Sequence, residues 1–258
     1  MVKLNKENLL NNINNSDDLY QLKKVLDKAF VVLKSYIDNS SDFLNPHELS
    51  LAKSILNSLD IGYSFDGGYD DYEYGVVNMY PSFLHGPKSE SICAMKFPTI
   101  FGIKHKDVLG SLIGLGIDRR KIGDILIGKE FTYFFVKIEI KDFILYNLKK
   151  ISNYNVKVCL KESTDVLPIK EYFYKDIVTS SLRLDTFLSQ ALNLSRSKIY
   201  DIISKDLVKV NFTPENKVSY KLKESDVISV KKYGRIIFHK ILKTTKKDKY
   251  LCQIKIPK

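Results

Sequence analysis

Ser195, Arg196 and Lys198 carry the most telling chemistry in the chain. The serine is a good N-cap, so the residues after it begin a helix with Ile199, Ile202 and Ile203 on its buried side. Arg196 and Lys198 then occupy the first turn, where the helix dipole favours acids instead. Cations kept at that end, beside backbone N–H groups with no intrahelical acceptor, suit a partner rich in phosphate. Lys231, Lys232 and Arg235 form a second basic group around Gly234, in a hairpin. Arg119, Arg120 and Lys121 form a third. By itself such a run reads either as a phosphate contact or as a solvated loop.

Other residues that could do chemistry do not converge. His105 and Asp107 have no nucleophile motif and no second histidine nearby in sequence, and a helix-start aspartate with a flanking histidine accounts for them. Asp66, Asp70, Asp71 and Glu73 lack the spacing of a calcium loop and read as a polar turn. Gly67-Gly68 and Gly110, Gly114 and Gly116 match no phosphate-loop pattern. Cys93, Cys159 and Cys252 form no CxxC pair, which argues against a metal and for reduced thiols. We therefore expect no catalytic residue, no metal and no cofactor.

The charge is unevenly placed. Of the net +11, residues 176–258 hold 18 lysines and arginines against eight acids, and residues 1–175 hold 23 against 22. An excess so confined points to a polyanionic partner, because each phosphate contact releases counterions. The polar start MVKLNKENLLNNINNSDD has no apolar h-region, and no apolar run approaches the ~18 residues of a membrane span. A cytoplasmic monomer that avoids membranes is the expectation.

The elements that would position these residues fall into three segments, giving an α+β chain of three small domains. Residues 1–72 read as a helical domain with a terminal strand. Leu19, Leu22, Val25, Leu26, Ala29, Phe30, Leu33 and Ile37 recur at helical spacing, and Asn45-Pro46 opens a second helix. Ile61, Tyr63 and Phe65 alternate into the turn Asp66-Gly67-Gly68. Residues 73–170 show the order β-α-β-β-α-β of a ferredoxin-like, RNA-recognition-like sheet with helices on one face: strand 92–97, helix 105–117, strands 124–127 and 131–137, helix 139–151 and strand 155–160. Phe131, Tyr133 and Phe135 share one face of that sheet. On an RNA-recognition sheet they would stack bases, but helices must cover one face, so we expect these three in the core and Phe134 on the open side. Residues 176–258 form the third domain. Leu184, Phe187, Leu188 and Ala191 line one helix, and the strands carry Val208, Val210, Val227, Ile228 and Val230. The final KTTKKDKYLCQIKIPK alternates Leu251, Ile254 and Ile256 as a closing strand would.

In this third domain the run R-L-D-x-F-L from Arg183, S-R-S from Ser195, V-x-V-N from Val208, and D-x-I-S-V from Asp226 with a following G-R resembles the S-four domain, named after the fourth small-subunit ribosomal protein. Similar copies occur in pseudouridine synthases, tyrosyl-tRNA synthetases and a heat-shock ribosome-associated protein. The resemblance implies that Arg183, Ser195, Arg196 and Lys198 contact the backbone of a folded RNA, supported by Lys231 and Arg235, with Lys232 beside them. The family has Gly where this chain has Asp206, and Gly-Asp where it has Ser225-Asp226.

Further motifs in order, S-D-F-L-N-P-H-E from Ser41, G-G-Y from Gly67, Y-P-S-F-L from Tyr80, and H-K-D-V-L-G-S-L-I-G-L-G-I-D-R-R-K-I-G-D-I-L-I from His105, are similar to the YlmH family of bacterial S-four proteins over nearly the full length. That resemblance implies binding to ribosomal RNA and tRNA on the large subunit carrying peptidyl-tRNA, in rescue of stalled translation and ribosome-associated quality control. It also suggests a link to cell division through the family's gene neighbourhood. Because it includes Arg119, Arg120 and Lys121, we count them as a second phosphate contact. The main rival is an RNA-modifying enzyme of the pseudouridine synthase type. Against it, the one Arg-Leu-Asp in the chain, Arg183-Leu184-Asp185, lies inside the binding module, and the first 175 residues are short for that catalytic fold.

Overall fold

A computed structural model describes residues 9–11, 13, 15–245 and 248–257. The chain divides into two compact units, 1–169 and 170–258. Helix and strand are mixed throughout, as an α+β chain requires.

The first unit opens with α1, Ser16–Ser35, whose N-terminus is capped by Asn15: its side chain accepts from the backbone of Asp17 and Asp18 at 2.9 and 3.1 Å. Leu22, Val25, Leu26, Ala29 and Val32 form its buried stripe. Helix α2, Pro46–Leu56, starts with Pro46 behind Asn45, and Asn45 and Glu48 close a reciprocal capping box. These helices pack on a three-stranded sheet of β1 (Asn39–Ser40), β3 (Val76–Pro81) and β2 (Ile61–Asp66), in that order. β3 carries no polar alternation, since all six of its residues are buried, and the alternation-based reading of the sequence has no strand there. It pairs with β2 from Ile61 opposite Pro81 to Asp66 opposite Val76. A boundary after residue 72 would therefore fall between two paired strands.

The middle strands follow the expected order. β4 (Ile92–Pro98), α3 (His105–Gly114), β5 (Ile122–Ile127), β6 (Phe131–Lys137), α4 (Lys141–Asn147) and β9 (Cys159–Leu160) build an antiparallel sheet in the order β9-β4-β6-β5, the ferredoxin-like arrangement. The second helix is shorter than its apolar spacing suggests. It ends at Asn147, and Lys150–Ile151 becomes β7, paired with β8 (Tyr154–Asn155). Helices α3 and α4 cover one face of the larger sheet, with Val108, Leu112 and Ile144 against Met95, Phe97, Phe134 and Val136. The other face is covered as well: Phe43 and Val76 from the preceding segment pack on Leu126, Tyr133 and Phe135. Phe134 thus lies fully buried under the helices, not on an open side. The sheet has no open side at that strand, because the preceding segment supplies a second covering layer.

The second unit contains β10 (Tyr172–Thr179), α5 (Leu184–Leu192), α6 (Arg196–Ser204), β11 (Val208–Val210), β12 (Thr213–Pro214), β13 (Val227–Val230), β14 (Gly234–Thr244) and β15 (Tyr250–Pro257). Its six strands run β10-β15-β14-β13-β11-β12, so the chain's last strand is inserted between the unit's first strand and β14. Phe187, Leu188, Ile199, Ile202 and Ile203 of the helices meet Ile177, Ile228, Val230, Ile236, Phe238, Cys252 and Ile254 in one core. The inward residues of the last strand are Cys252 and Ile254; Leu251 lies off that fully buried set.

Candidate nucleic-acid interface

The interface is built on the turn between α5 and α6. Helix α5 ends at Asn193 in the left-handed region, φ 54°, and Ser189 Oγ donates to the Leu194 carbonyl at 2.6 Å. That closes the turn and delivers Ser195 as the cap of α6, where its Oγ accepts from the Lys198 backbone at 3.3 Å. Because Ile199, Ile202 and Ile203 anchor α6 to the core, Arg196, Ser197 and Lys198 face solvent. Among the described residues neither Arg196 nor Lys198 forms an ion pair with a carboxylate. This exposed first turn pairs two uncompensated cations with the free N–H groups of a capped helix.

Arg183 stands just before α5 and shares its charge with Asp185, through Nε to Oδ1 at 3.1 Å and Nη2 to Oδ2 at 3.0 Å. Partial burial raises the Asp185 pKa, but the bonds from Arg183 and Thr186 outweigh it and the net shift is downward. Lys231 is tied by its backbone N–H to the Leu207 carbonyl at 2.9 Å, just past the far end of α6. Lys232 adopts φ 74° and both lysines are exposed. Arg235 lies over the Phe212 ring, 5.4 Å from its centre. Arg183 thus stands at the start of α5, Arg196 and Lys198 at the start of α6, and Lys231 beyond its end. A nine-residue helix, roughly 14 Å long, separates Arg183 from the Ser195 turn, and a second separates that turn from Lys231. A nucleic-acid duplex offers phosphates along the whole of such a length.

The third basic group has a different environment. Arg120 holds Glu48 in a two-pronged ion pair, at 2.7 and 2.8 Å, and Glu48 is only 1% exposed. Lys121 reaches Asp42 at 2.6 Å and also Glu139. Arg119 donates to the Ile122 carbonyl and lies 4.8 Å over the Tyr74 ring. The acids they hold lie in the α2 cap, in the segment before it and two residues beyond β6. These three cations, expected as a second phosphate contact, form a clamp between the covering layer and the sheet.

Two polar groups escaped sequence reading although both lie within motifs. Asp226, buried, accepts from Asn211 Nδ2 at 2.8 Å and from the Lys223 backbone at 2.7 Å, while Asn211 Oδ1 accepts from the Val227 backbone at 2.9 Å. The N of V-x-V-N and the D of D-x-I-S-V are thus one structural clasp. Asp124 accepts from Tyr69 Oη at 2.5 Å and from the backbones of Glu73 and Tyr74 at 2.8 and 3.0 Å, pinning the loop after β2 to β5. Only their separation in sequence, 15 residues in one case and about 50 in the other, hides these pairings. Asp206 and Ser225 have φ 54° and 73°, so both positions where the family has glycine do take left-handed backbone.

Comparison with known proteins agrees with this geometry. Residues 89–165 match the family model described as “Putative RNA-binding domain in YlmH”, and residues 182–228 match the S4 domain. The chain pairs a YlmH-type RNA-binding domain with an S4 domain. The S4 match spans Arg196 and Lys198 and the Asn211–Asp226 clasp, and the YlmH-type match spans the ferredoxin-like sheet. A relative from Bacillus subtilis (strain 168), “Ribosome-associated protein quality control protein P2”, is 28% identical over 247 residues, covering 90% of this chain and 96% of that protein. The solved structure “Cell division protein ylmH from Streptococcus pneumoniae” shares the fold, with TM-score 0.50 and 23% identity over 58% of this chain and 94% of that one. Among the described residues no helix is long and apolar enough to cross a membrane, and no group of histidines, cysteines and carboxylates could hold a metal ion.

Proposed function

We propose that this chain is a non-enzymatic factor that holds structured RNA on the ribosome, acting as a monomer at the large subunit where ribosomal RNA lies beside peptidyl-tRNA, in the rescue of stalled translation. The observation that carries the proposal is the first turn of α6, where Arg196 and Lys198 stand exposed without a carboxylate partner at the head of a capped helix inside an S4 domain. The charge distribution and the name of the Bacillus subtilis relative point the same way. Arg183, Ser195, Lys231 and Lys232 extend that surface and Arg235 contacts RNA from the outer side of the sheet, while Arg119, Arg120 and Lys121 serve folding. The N-terminal and YlmH-type parts add surface and set orientation. The mechanism is occupancy: a factor that binds one state of the ribosome–tRNA complex better shifts the population towards that state.

Co-sedimentation with ribosomes and with separated subunits, across a salt series, tests this. The protein should travel with the large subunit and lose roughly a thousandfold in affinity between ~50 and ~200 mM salt if about six phosphates are contacted. A flat salt response, or preference for the small subunit, would contradict it. Mass mapping of the bound RNA, with and without the protein, should show no modification.

A further inference from the structure

We infer that the outer face of the six-stranded sheet, turned away from α5 and α6, is a second RNA surface that stacks unpaired bases on Tyr174 and His239 and takes their phosphates with Lys255, Arg235 and Lys209. The inference rests on the proposal that this unit holds RNA. It adds a substrate class, a single-stranded segment next to the folded element.

The face follows from the pleat. Along β13, β14 and β15 the fully buried residues alternate with partly exposed ones. Ile228, Val230, Ile236, Phe238, Cys252 and Ile254 point into the helix-covered core, so their neighbours point out. The register then aligns outward residues across the strands. Ile237 lies opposite Lys255, and Lys255 opposite Tyr174; Lys209 lies opposite Ser229, and Ser229 opposite Arg235.

Tyr174 is 57% exposed. The Lys255 ammonium lies 5.7 Å from the ring centres of both Tyr174 and Tyr172, and His239 meets Tyr174 edge-on at 5.8 Å. Desolvation and the nearby cations Lys255 and Lys240 lower the His239 pKa, so at neutral pH it presents an uncharged ring. Aromatic rings flanked by cations are what unpaired bases and their backbone require together.

An exposed tyrosine on a strand is ordinary by itself, since aromatic residues favour strands. The charge decides the matter. The outward residues of the strands include five cations, Lys209, Arg235, Lys240, Lys243 and Lys255, against a single acid, Asp176, while Lys175 turns to the helix side, where its ammonium donates to the Ala191 carbonyl at 3.0 Å. Asp176 itself accepts a hydrogen bond from Gln253 at 3.1 Å. A merely solvated face would interleave the two signs.

The chain contains no tryptophan, so Tyr174→Trp places a single indole reporter on the face. Full-length protein is titrated with an RNA hairpin, with the same hairpin carrying a single-stranded tail, and with a uridine oligomer. The oligomer and the tailed hairpin should quench the indole. Tyr174→Ala should weaken tailed-hairpin binding roughly tenfold, as the loss of one stacked base would, with Tyr174→Phe near wild type and bare-hairpin affinity unchanged. If the emission does not move and Tyr174→Ala binds the tailed hairpin like wild type, while Arg196→Ala still weakens the bare hairpin, this inference is overturned and the proposed function stands. If wild type binds none of the three RNAs, both fail.

Discussion

Arg119-Arg120-Lys121 and Arg196-Ser197-Lys198 look alike as sequence, two short basic runs at the edge of a regular element, yet the fold uses them in opposite ways. The first run meets Glu48, Asp42 and Glu139 and the Tyr74 ring. The second meets solvent. The difference lies in the acids that tertiary structure brings to each. Glu48 is 72 residues from Arg120 and Asp42 is 79 from Lys121, whereas among the described residues no carboxylate forms an ion pair with Arg196 or Lys198. A basic run is evidence of an anionic partner only once the protein's own carboxylates have been accounted for. Removing a cation from the first run should therefore cost stability, and removing one from the second should cost binding.

The largest effect is expected at the buried pair. Arg120→Ala leaves the Glu48 carboxylate buried without its partner and should destabilise the protein by about 3 kcal/mol, read by chemical denaturation, while the folded fraction keeps its ribosome affinity. Adding Glu48→Gln should recover part of the loss, because no charge is then stranded.

Next comes Lys137, also in the first unit. It is buried with its ammonium on Ser40 Oγ, and burial together with the nearby Lys28 pushes its pKa down to about 8. The folded pKa lies below the unfolded one, so between these values the folded state binds fewer protons and stability should rise as the pH climbs from about 8 towards the ordinary lysine value. Unfolding midpoints across that range should rise for wild type, and Lys137→Met should flatten the rise. A flat wild-type profile would remove Lys137 from the stability side of the comparison.

In the second unit, Arg196→Ala and Lys198→Ala should each weaken ribosome association several-fold and leave unfolding free energy within about 0.5 kcal/mol of wild type. The smallest effect is expected at Ser225, held at φ 73°. Ser225→Gly should stabilise the protein by about 1 kcal/mol in the same denaturation assay, without changing binding.

Much of this was legible in the sequence because it is local. The cap at Ser195, the helix start at Asn45-Pro46, and the apolar periodicity of α1, α3 and α6 depend on neighbours within a few residues. Strand β3 was not legible, because it is buried on both sides and shows no alternation. Nor was the burial of Phe134, since it depends on Phe43 and Val76 covering the opposite face of the sheet. The fate of Arg120 depends on an acid in a distant helix cap. At the candidate interface the caps and exposed cations could be read directly, but their spacing along α5 and α6 and the Asn211–Asp226 clasp required the fold.

The most direct test is the slope of log affinity against log salt for ribosome binding, measured side by side for wild type, Arg196→Ala and Arg120→Ala. The account predicts that Arg196→Ala shallows the slope by about one, as a lost phosphate contact should, while Arg120→Ala runs parallel to wild type. An Arg196→Ala line parallel to wild type, or an Arg120→Ala line that loses the unit of slope instead, would contradict it.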